Sequence, residues 1–550
     1  MKLKTRYLTL IVALVLPLTF AGAHPMQRFS SRNAEDAALK QKIAEDFSEA
    51  LIVAKDNYAG QIDFNRLTKA SILGMLQTLD PHSGYFDREE WEKFQNEQRS
   101  RYSGIGSTIV PRYGKVYISA PFEGTPAHRA GLRFGDHIVE INGESTEGWS
   151  SRQVADKLLG PEGTRVKVKV LRMGDPLEYS IVRGSVPLPS ISNYFLGPNG
   201  VGYIALQRGF NTTTYKEMKD AMDDMQQQGM TSLIFDLRGN RGGLVDQAWR
   251  VSNIFLYSGQ KIITMRGRPG GSFPPREINA YNSAPADLPL VVLIDRGSAS
   301  ASEIVAGALQ DHDRARLVGE NSFGKGLFQT VFTLSDNSGL TLTTGHYYTP
   351  SGRLIQREYA GRSFYDYYLQ RGDKEAVQKT EEKLTDAGRK VYGGGGIDPD
   401  VEVKIPASEN ELLQTWIEPV FEFSRWLVAG KVSGLEEFKI DHPADHRHRL
   451  KPSDYAISDK VIAAFKNFVT AHKDLKANPA RVDKDAVWLK IRIRYEVATA
   501  AYGQEVASQV LLDGDPQMQR AIKEIPQAKE MAEGIRRMRA QSRGGDGRKD

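Results

Sequence analysis

Three serines occupy alternate positions in the segment 297–303, which reads GSASASE. The apolar run LPLVVLID before it is typical of a buried strand, whereas SEIVAGALQD at its end is typical of a helix. A serine at such a junction lies at a helix N-terminus, where free N–H groups and the helix dipole stabilise an alkoxide or a tetrahedral oxyanion. The alternative is that the serines merely cap the helix. The segment alone does not distinguish Ser298, Ser300 and Ser302 as nucleophiles.

A serine nucleophile needs a base, and the histidines of the chain are poorly placed for that role. His312 lies at the far end of the helix, His346 falls in a predicted strand, and the tract DHPADHRH at 441–448 indicates a solvated linker rather than a metal site. A lysine can replace histidine when burial keeps its amine neutral. Lys325, between two glycines in NSFGKGLFQ, is the candidate, and Gln329 falls on the same face of the strand that follows, where it can orient the amine. The alternative for Lys325 is a surface lysine in a glycine turn.

Backbone N–H groups for an oxyanion hole are expected in the segment 234–243, IFDLRGNRGG, where a strand runs into a glycine-rich turn. The alternative is an ordinary tight turn between a strand and a helix. The pattern does not indicate a phosphate-binding loop, because no Gly-Lys-Ser or Gly-Lys-Thr follows these glycines.

The N-terminus places three basic residues before an apolar run at 7–20 and the small residues Ala-Gly-Ala at 21–23. This pattern predicts a signal peptide cleaved after Ala23, because the apolar run is shorter than the ~20 residues of a membrane-spanning helix. The chain contains no cysteine, which excludes a lipid anchor at the cleavage site, disulfides and cysteine-based zinc sites. A net charge of +5 is too mild to favour nucleic-acid binding. We therefore expect an exported, periplasmic protein, and the alternatives are an extracellular protein and one that stays anchored by an uncleaved N-terminal segment.

The pattern of apolar and polar residues changes along the chain, and these changes predict a multidomain α/β protein. Helical periodicity dominates residues 34–95, and short strands with one helix follow from about Arg101. Strands and helices alternate from about Ser190, and charged helices occupy the chain after about Ala407.

Six motifs, in this order, resemble those of the carboxyl-terminal processing, or tail-specific, serine peptidases: LDPHSGYF, DLRGNRGG, GSASASE, FGKGLFQ, YYTPSGRLIQ and GIDPD. The resemblance covers roughly residues 35–405. Each motif alone would be a weak signal, but the six together are specific. Members of this family are exported enzymes with a PDZ domain and a Ser/Lys catalytic dyad.

The resemblance also assigns roles to single residues. In the family the nucleophile is the middle serine of the run and the lysine lies 25 residues later, a spacing that Ser300 and Lys325 match. It implies that Ser300 is the nucleophile, Lys325 the general base and Gln329 the residue that orients the lysine. Ser298 and Ser302 are then structural, and Glu303 is a charge in the first turn of the helix.

The same resemblance implies an oxyanion hole built from the N–H groups of Ala301 and Gly242. The family often has proline where this chain has Arg241. That departure affects the geometry of the turn, so Gly243 stays open as the alternative to Gly242.

The strands after residue 101 resemble a PDZ module, and YSGIGSTI at 102–109 resembles its carboxylate-binding loop. The N–H groups of Gly104, Ile105 and Gly106 would hold the free carboxylate of a C-terminus while the peptide adds as a strand to the sheet edge. The alternative is an ordinary glycine bend between strands. The downstream segment GTPAHRAGLRFGDHIVEING favours the PDZ interpretation.

The domain boundaries follow from these assignments. The resemblance implies a multidomain α/β fold whose peptidase core is of the crotonase/Clp type, with an inserted PDZ domain. The predicted parts are a signal peptide (1–23), an N-terminal helical region (24–98), the PDZ domain (99–186), the α/β serine peptidase core (187–406), a C-terminal helical region (407–542) and a disordered tail (543–550).

The predicted function is that of an exported serine endopeptidase that recognises the C-terminal tails of protein substrates and needs no metal or cofactor. Two alternatives are a non-catalytic PDZ scaffold, which would be expected to have lost Ser300 or Lys325, and an acyl-transfer or thioester hydrolase on the same core. The expected partners are proteins or peptides with free C-termini, with no nucleic acid and only transient membrane contact through the signal peptide. The C-terminal helices are compatible with packing on the core, with a homo-oligomer interface and with docking an adaptor.

Overall fold

The computed structural model describes residues 30–98, 101–271, 273–360, 364–369 and 381–545. The predicted signal peptide lies outside the described residues. The described chain forms two compact units, of which the smaller takes its residues from 1–92, 329–344 and 361–367 and the larger takes the rest.

The N-terminal part of the chain is helical, as its periodicity predicts. It contains helices α1 (Ser30–Asn57) and α2 (Phe64–Gln77), strand β1 (Gly84–Phe86) and helix α3 (Arg88–Gln98). Asp63 caps α2 by accepting a hydrogen bond from the Arg66 N–H. Within the smaller unit, β1 pairs antiparallel with residues 339–341.

A small β-rich module follows. Its elements are β2 (Arg101–Gly104), β3 (Ser107–Arg112), β4 (Lys115–Pro121), α4 (Pro126–Ala130), β5 (His137–Ile141), β6 (Glu144–Ser145), α5 (Ser151–Leu158), β7 (Arg165–Arg172), β8 (Asp175–Val182) and β9 (Gly184–Pro187). The main sheet has the order β3-β4-β5-β7-β8, and the first and last strands, β2 and β9, pair with each other. The chain therefore enters and leaves this module side by side, as an inserted domain requires.

The α/β core comes next in the chain. Its elements are β10 (Ile191–Leu196), β11 (Val201–Leu206), α6 (Thr214–Gln227), β12 (Ser232–Asp236), α7 (Val245–Phe255), β13 (Lys261–Gly267), β14 (Arg276–Asn279), β15 (Leu290–Ile294), α8 (Ala301–Asp311), β16 (Arg316–Gly319), β17 (Leu327–Thr333), β18 (Gly339–Tyr348), α9 (Phe364–Leu369), β19 (Glu382–Leu384), β20 (Lys390–Tyr392) and β21 (Val401–Glu402). The central sheet has the order β10-β11-β12-β15-β16-β21, and all neighbouring strands are parallel except the antiparallel pair β10–β11.

The C-terminal part of the chain is helical. It contains α10 (Ala407–Val428), α11 (Asp459–Ala471), α12 (Ala486–Tyr502), α13 (Gln504–Leu512) and α14 (Pro516–Gly545). Helix α14 includes the first three residues of the predicted tail, and the rest of that tail lies outside the described residues. None of the helices in the described ranges combines the length and apolar character that crossing a bilayer requires.

Both faces of the central sheet are covered, which explains why its strands are apolar throughout. Leu233 and Phe235 of β12 point to a core shared with α6, α7 and α8. Ile234, between them, belongs to a second core that includes Met518 and Ala521 of α14. Helix α14 is therefore a layer of the α/β core rather than an appendage of the C-terminal region.

The β-rich module packs on helix α10. The Phe421 ring lies 5.2 Å from the Tyr117 ring and 5.4 Å from the Phe134 ring, both in edge-on geometry. Arg425 Nε donates a 3.0 Å hydrogen bond to the Gly135 carbonyl. Aromatic and charged contacts thus join the β-rich module to the C-terminal helices.

A buried carboxyl group near this interface makes stability depend on pH. Burial raises the pKa of Glu496 on α12 to about 7, against the opposing effect of Arg112 and Arg492. Because folding raises this pKa, ionisation of Glu496 destabilises the folded protein. The free energy of unfolding therefore falls as the pH rises from 4.5 towards 7. We expect Glu496→Gln to remove this cost, raising the free energy of unfolding by up to about 3 kcal/mol at pH 8.5. Urea unfolding followed by tryptophan fluorescence would measure the gain.

The pH dependence of that gain is the decisive part of the experiment. The stabilisation by Glu496→Gln should shrink steadily as the pH is lowered towards 4.5, where the wild-type carboxyl is neutral in the folded protein. Substitution of the exposed Glu437 by glutamine is the matched control for removing one negative charge. A gain that is the same at pH 8.5 and pH 5 would contradict the proposed cause.

Candidate active site

The serine run lies at the junction between β15 and α8, and its three serines have different environments. Ser298 and Ser302 are fully buried, and their hydroxyls donate to the carbonyls of Leu237 and Asn240. Ser300 is partly exposed and has φ of 55° and ψ of −112°, a backbone conformation that side-chain-bearing residues rarely adopt. Such strain persists only where the surrounding structure enforces it and is concentrated at functional sites. Of the three serines, Ser300 is the one whose setting fits a nucleophile.

A buried carboxylate joins the Ser300 junction to the Lys325 loop. Glu303 Oε2 accepts hydrogen bonds from the N–H groups of both Ser300 and Lys325, each at 2.8 Å, so these two nitrogens are at most twice that distance apart. Glu303 Oε1 accepts from the Gly324 N–H at 2.6 Å and from the Ser322 hydroxyl. The carboxylate is fully buried, and this burial raises its pKa, while the four hydrogen bonds oppose the shift.

Sequence reasoning gave Glu303 only the role of a charge in the first helical turn. It does lie in that turn, but its contacts show that it connects two segments separated along the chain. The spacing Ser-x-x-Glu, from Ser300 to Glu303, is a signal that could have predicted half of this arrangement. In that pattern the glutamate accepts from the backbone N–H of the residue that caps the helix.

A buried tyrosine makes a second bridge between the same two segments. The Tyr347 hydroxyl is within hydrogen-bonding reach of the Ser300 carbonyl oxygen, at 3.0 Å, and of the Lys325 carbonyl oxygen. Tyr347 is only 1% exposed, and its own N–H donates to the Gly326 carbonyl. The backbones of Ser300 and Lys325 are therefore fixed by a carboxylate on their N–H groups and by a phenol on their carbonyls.

The glycines on either side of Lys325 are required by the close approach of other chain segments. A Cβ on Gly324 would lie 3.0 Å from the Gly396 nitrogen, and one on Gly326 would lie 3.0 Å from the Gln356 nitrogen. These neighbours belong to the GIDPD and YYTPSGRLIQ motifs. Lys325 is partly buried rather than displayed on an exposed turn.

The glycine-rich turn between β12 and α7 packs against Ser300. Gly242 has a φ of 98°, and a Cβ added to it would lie 2.7 Å from Ser300 Cβ. Asn240 locks the turn to the serine junction, because its carbonyl accepts the Ala299 N–H at 2.9 Å and its Nδ2 donates to the Leu206 carbonyl at 2.6 Å. This packing explains why the segment needs glycine beside Ser300.

The predicted oxyanion donor Gly242 makes a hydrogen bond inside its own turn. The Gly242 N–H donates a 2.8 Å hydrogen bond to Asn240 Oδ1, so in this structure it is used within the turn and is not directed at a substrate oxygen. The alternative, Gly243, follows directly and has a φ of 143°. An oxyanion hole built from Ala301, the first residue of α8, and from Gly242 or its alternative Gly243 stays a prediction.

Gln329 lies in the smaller unit, where a short relay fixes its amide. Its Nε2 donates to Thr343 Oγ1 at 3.3 Å, and Thr343 Oγ1 donates to Asp80 Oδ1 at 3.1 Å. Asp80 also accepts the Ser83 hydroxyl at 2.7 Å, so the LDPHSGYF motif supplies the end of the relay. The relay makes Oε1 the acceptor end of the Gln329 amide, which is the atom that orienting a lysine would require. The action of Gln329 on Lys325 stays a prediction.

The predicted carboxylate-binding loop connects β2 to β3 of the PDZ module. The Ile105 carbonyl accepts the Ala127 N–H at 2.7 Å, and the Gly106 carbonyl accepts the Phe122 N–H at 3.0 Å. Both carbonyls are therefore bound within the module, and the loop conformation is fixed. Binding of a carboxylate by the N–H groups of Gly104, Ile105 and Gly106 stays a prediction.

Gly106 provides a direct test of this loop. Its φ is 78°, and a Cβ would lie 2.4 Å from Thr125 Cβ, so alanine cannot be accommodated without moving the loop. We expect Gly106→Ala to weaken binding of a free C-terminal peptide by about tenfold or more, since the strain corresponds to at least 1–2 kcal/mol. Fluorescence anisotropy with a labelled peptide would measure it. Gly114→Ala, at a similar φ of 69° but with no atom near the added Cβ, is the control. If the Gly106 and Gly114 variants bound the peptide with equal affinity, this loop would not be the carboxylate-binding site.

Comparison with known proteins agrees with this architecture. Residues 200–363 match the model of peptidase family S41, and residues 117–172 match that of a PDZ domain. A carboxy-terminal-processing protease of Bartonella bacilliformis is 36% identical over 320 residues, which cover 56% of this chain and 72% of that protein. The carboxy-terminal processing protease CtpA of Bacillus subtilis is 32% identical over 353 residues, which cover 64% of this chain and 74% of that protein.

A solved structure of a photosystem II D1 C-terminal processing protease is 27% identical, covers 65% of this chain and 88% of its own, and has a TM-score of 0.34. The sequence matches define a serine peptidase with a PDZ domain. This chain belongs to the carboxy-terminal-processing proteases of peptidase family S41. The predictions of the family, of the α/β fold class with a PDZ domain and of a serine-type peptidase are thereby confirmed.

Proposed function

We propose that this protein is an exported endopeptidase that captures the free C-terminal tail of a protein substrate with its PDZ domain and cleaves it with a Ser300/Lys325 dyad. The observation that carries the proposal is the shared acceptor Glu303 Oε2, which holds the N–H groups of both residues at 2.8 Å. A dyad needs its two members held in a fixed mutual position, because catalysis is steeply sensitive to small displacements.

The mechanism begins with proton transfer from the Ser300 hydroxyl to the neutral amine of Lys325. Ser300 Oγ attacks the peptide carbonyl carbon, and the resulting oxyanion accepts hydrogen bonds from the N–H groups of Ala301 and Gly243. The Lys325 ammonium gives its proton to the leaving amine as the carbon–nitrogen bond breaks. Water, deprotonated by Lys325, then hydrolyses the acyl-enzyme and regenerates Ser300. Every step uses groups of the chain, the substrate and water.

Substrate choice follows from the PDZ domain. A peptide that adds as a strand to the sheet edge gains affinity through main-chain hydrogen bonds, so an unstructured tail is preferred to a folded segment. The carboxylate loop adds the requirement for a free C-terminus. Export by the sequence at 1–23 would place the enzyme in the periplasm.

The test uses the protein without its first 23 residues and an unfolded reporter that ends in a free apolar C-terminus, with the same reporter amidated as the control. We expect cleavage of the free-ended reporter, weaker cleavage of the amidated one and none by Ser300→Ala. Labelling of the wild type but not of Ser300→Ala by a fluorophosphonate would identify the nucleophile. Cleavage that survives Ser300→Ala would overturn the assignment. Absence of cleavage would favour a PDZ scaffold, and thioester hydrolysis without peptidase activity would favour an acyl hydrolase.

A further inference from the structure

The glycine-rich turn beside Ser300 is connected to the C-terminal helix α14 by a nearly buried ion cluster. Arg238, in that turn, is only 12% exposed in its side chain. Its Nη2 donates to Asp236 Oδ2 at 2.7 Å, and its Nη1 donates to Asp515 Oδ2 at 2.6 Å and to Gln517 Oε1 at 2.9 Å. One guanidinium therefore joins the end of β12, the turn and the start of α14.

Each partner of Arg238 is itself held in place. Asp236 is fully buried and also accepts the Tyr203 hydroxyl at 2.7 Å. Asp515 Oδ1 accepts the N–H groups of Gln517 and Met518, at 2.8 and 3.1 Å, and so caps α14. Hydrogen bonds between charged groups are strong and geometrically specific when water is excluded.

We propose that α14 is a working part of the catalytic site, because Asp515 and Gln517 hold Arg238 and thereby keep the turn 237–243 in its oxyanion-binding geometry. Asp515, Gln517 and Arg238 are positioning residues: they act on the reaction through the turn that carries Gly243. The inference rests on the proposed function and deepens it, since it gives the C-terminal helix a role in transition-state stabilisation. The turn is anchored elsewhere by Asn240, so loss of the α14 contact should loosen it without unfolding it.

Helix α14 has independent attachments to the sheet, which makes the proposal testable. Met518, Ala521 and Ala528 pack on the sheet, and Glu524 pairs with Arg316 of β16 at 3.1 Å. Removing the Asp515 charge therefore leaves the helix docked.

Asp515→Asn is the variant that tests the contact between α14 and Arg238 most directly. Asparagine keeps the shape of the side chain and can still cap α14 through its oxygen. Its amide NH₂ replaces the oxygen that faces Arg238, so a donor meets a donor. Glu524→Gln is the matched control, because it breaks another ion pair of the same helix, with Arg316, away from the turn.

The experiment measures kcat and KM on the free-ended reporter and the inhibition constant of a peptide aldehyde, to which Ser300 adds to form a hemiacetal whose oxygen occupies the oxyanion hole. We expect Asp515→Asn to lower kcat by ten- to a hundredfold with KM within about twofold of the wild-type value. The inhibition constant of the peptide aldehyde should rise by a factor similar to the loss of kcat. Glu524→Gln should leave all three constants within about twofold.

Equal kcat and aldehyde affinity of Asp515→Asn and the wild type would overturn the inference and leave the proposed function intact. A common loss in Asp515→Asn and Glu524→Gln, in proportion to lowered thermal stability, would also overturn it, because that is the behaviour of a merely structural contact. A wild type that does not cleave the reporter would overturn the proposed function itself and this inference with it.

Discussion

Replacement of Lys325 by methionine should lower kcat on the free-ended reporter by about four orders of magnitude or more, the loss expected when one member of a nucleophile–base pair is removed. Methionine keeps much of the length of the side chain but cannot take the Ser300 proton. The backbone N–H of residue 325 still reaches Glu303, so the loop should keep its position. Initial rates at saturating reporter, normalised to folded protein, would measure the loss.

A second substitution separates a base from a mere positive charge. Arginine at position 325 keeps the charge but is not deprotonated in proteins, so Lys325→Arg should be as inactive as Lys325→Met. Methionine at the exposed Lys404 is the control and should have wild-type rates. Binding of a tail peptide to the PDZ domain should be unchanged in all three variants. An active Lys325→Arg protein would mean that another group accepts the proton.

The residues predicted to carry the chemistry stand in short, local patterns. Ser300 and Lys325 each lie in a motif of seven residues with glycine or alanine neighbours, and that composition reflects the backbone crowding seen around them. The alternation of apolar segments likewise predicted the layered α/β core. The local conformation of a strand or turn depends mainly on its own residues, so it can be predicted from them.

The supports of the site could not be predicted in the same way, because they join segments far apart in the chain. Glu303 and Lys325 are 22 residues apart, and Arg238 and Asp515 are 277 apart. The local sequence of α14 does not indicate that its first turn contacts the glycine-rich turn 237–243. Its polar and amphipathic texture allowed core packing, an oligomer interface or an adaptor site, and the structure shows the first, through small residues such as Ala521 and Ala528.

The open choice between Gly242 and Gly243 has the same origin. The motif DLRGNRGG predicts a turn that presents N–H groups, but which N–H group is used inside the turn depends on a side chain, Asn240, that bends back to accept it. A hydrogen bond of this kind competes locally with other uses of the same N–H. The motif therefore predicts the turn and its glycines, whereas the choice of Gly242 or Gly243 as the N–H donor depends on the three-dimensional geometry.

Glu303→Gln should lower kcat by about a hundred- to a thousandfold while changing KM little. The wild-type carboxylate uses two acceptor oxygens for four donors: Ser300, Lys325, Gly324 and Ser322. Glutamine has one acceptor oxygen, so its amide NH₂ must face one pair of these donors. Each buried donor left unsatisfied costs about 1–3 kcal/mol. The disturbed pair would move either the nucleophile and base or the loop beside them, and proximity effects make such shifts expensive in rate.

The measurement is kcat per active site, counted by fluorophosphonate labelling of Ser300 so that unfolded protein does not contribute. Glutamine at the exposed Glu277, which pairs with Lys261, is the control for the charge change and should keep kcat within about twofold. A Glu303→Gln protein with wild-type kcat would show that the shared carboxylate is dispensable.

A double variant tells whether Glu303 acts through the dyad. If its whole effect on rate is to position Ser300 and Lys325, then adding Glu303→Gln to Lys325→Met should cause little further loss of kcat, because residues that act as a unit have non-additive effects. Multiplied losses would instead assign Glu303 a separate part in the reaction. The same reasoning applies to Tyr347, whose hydroxyl is within hydrogen-bonding reach of the carbonyl oxygens of the same two residues.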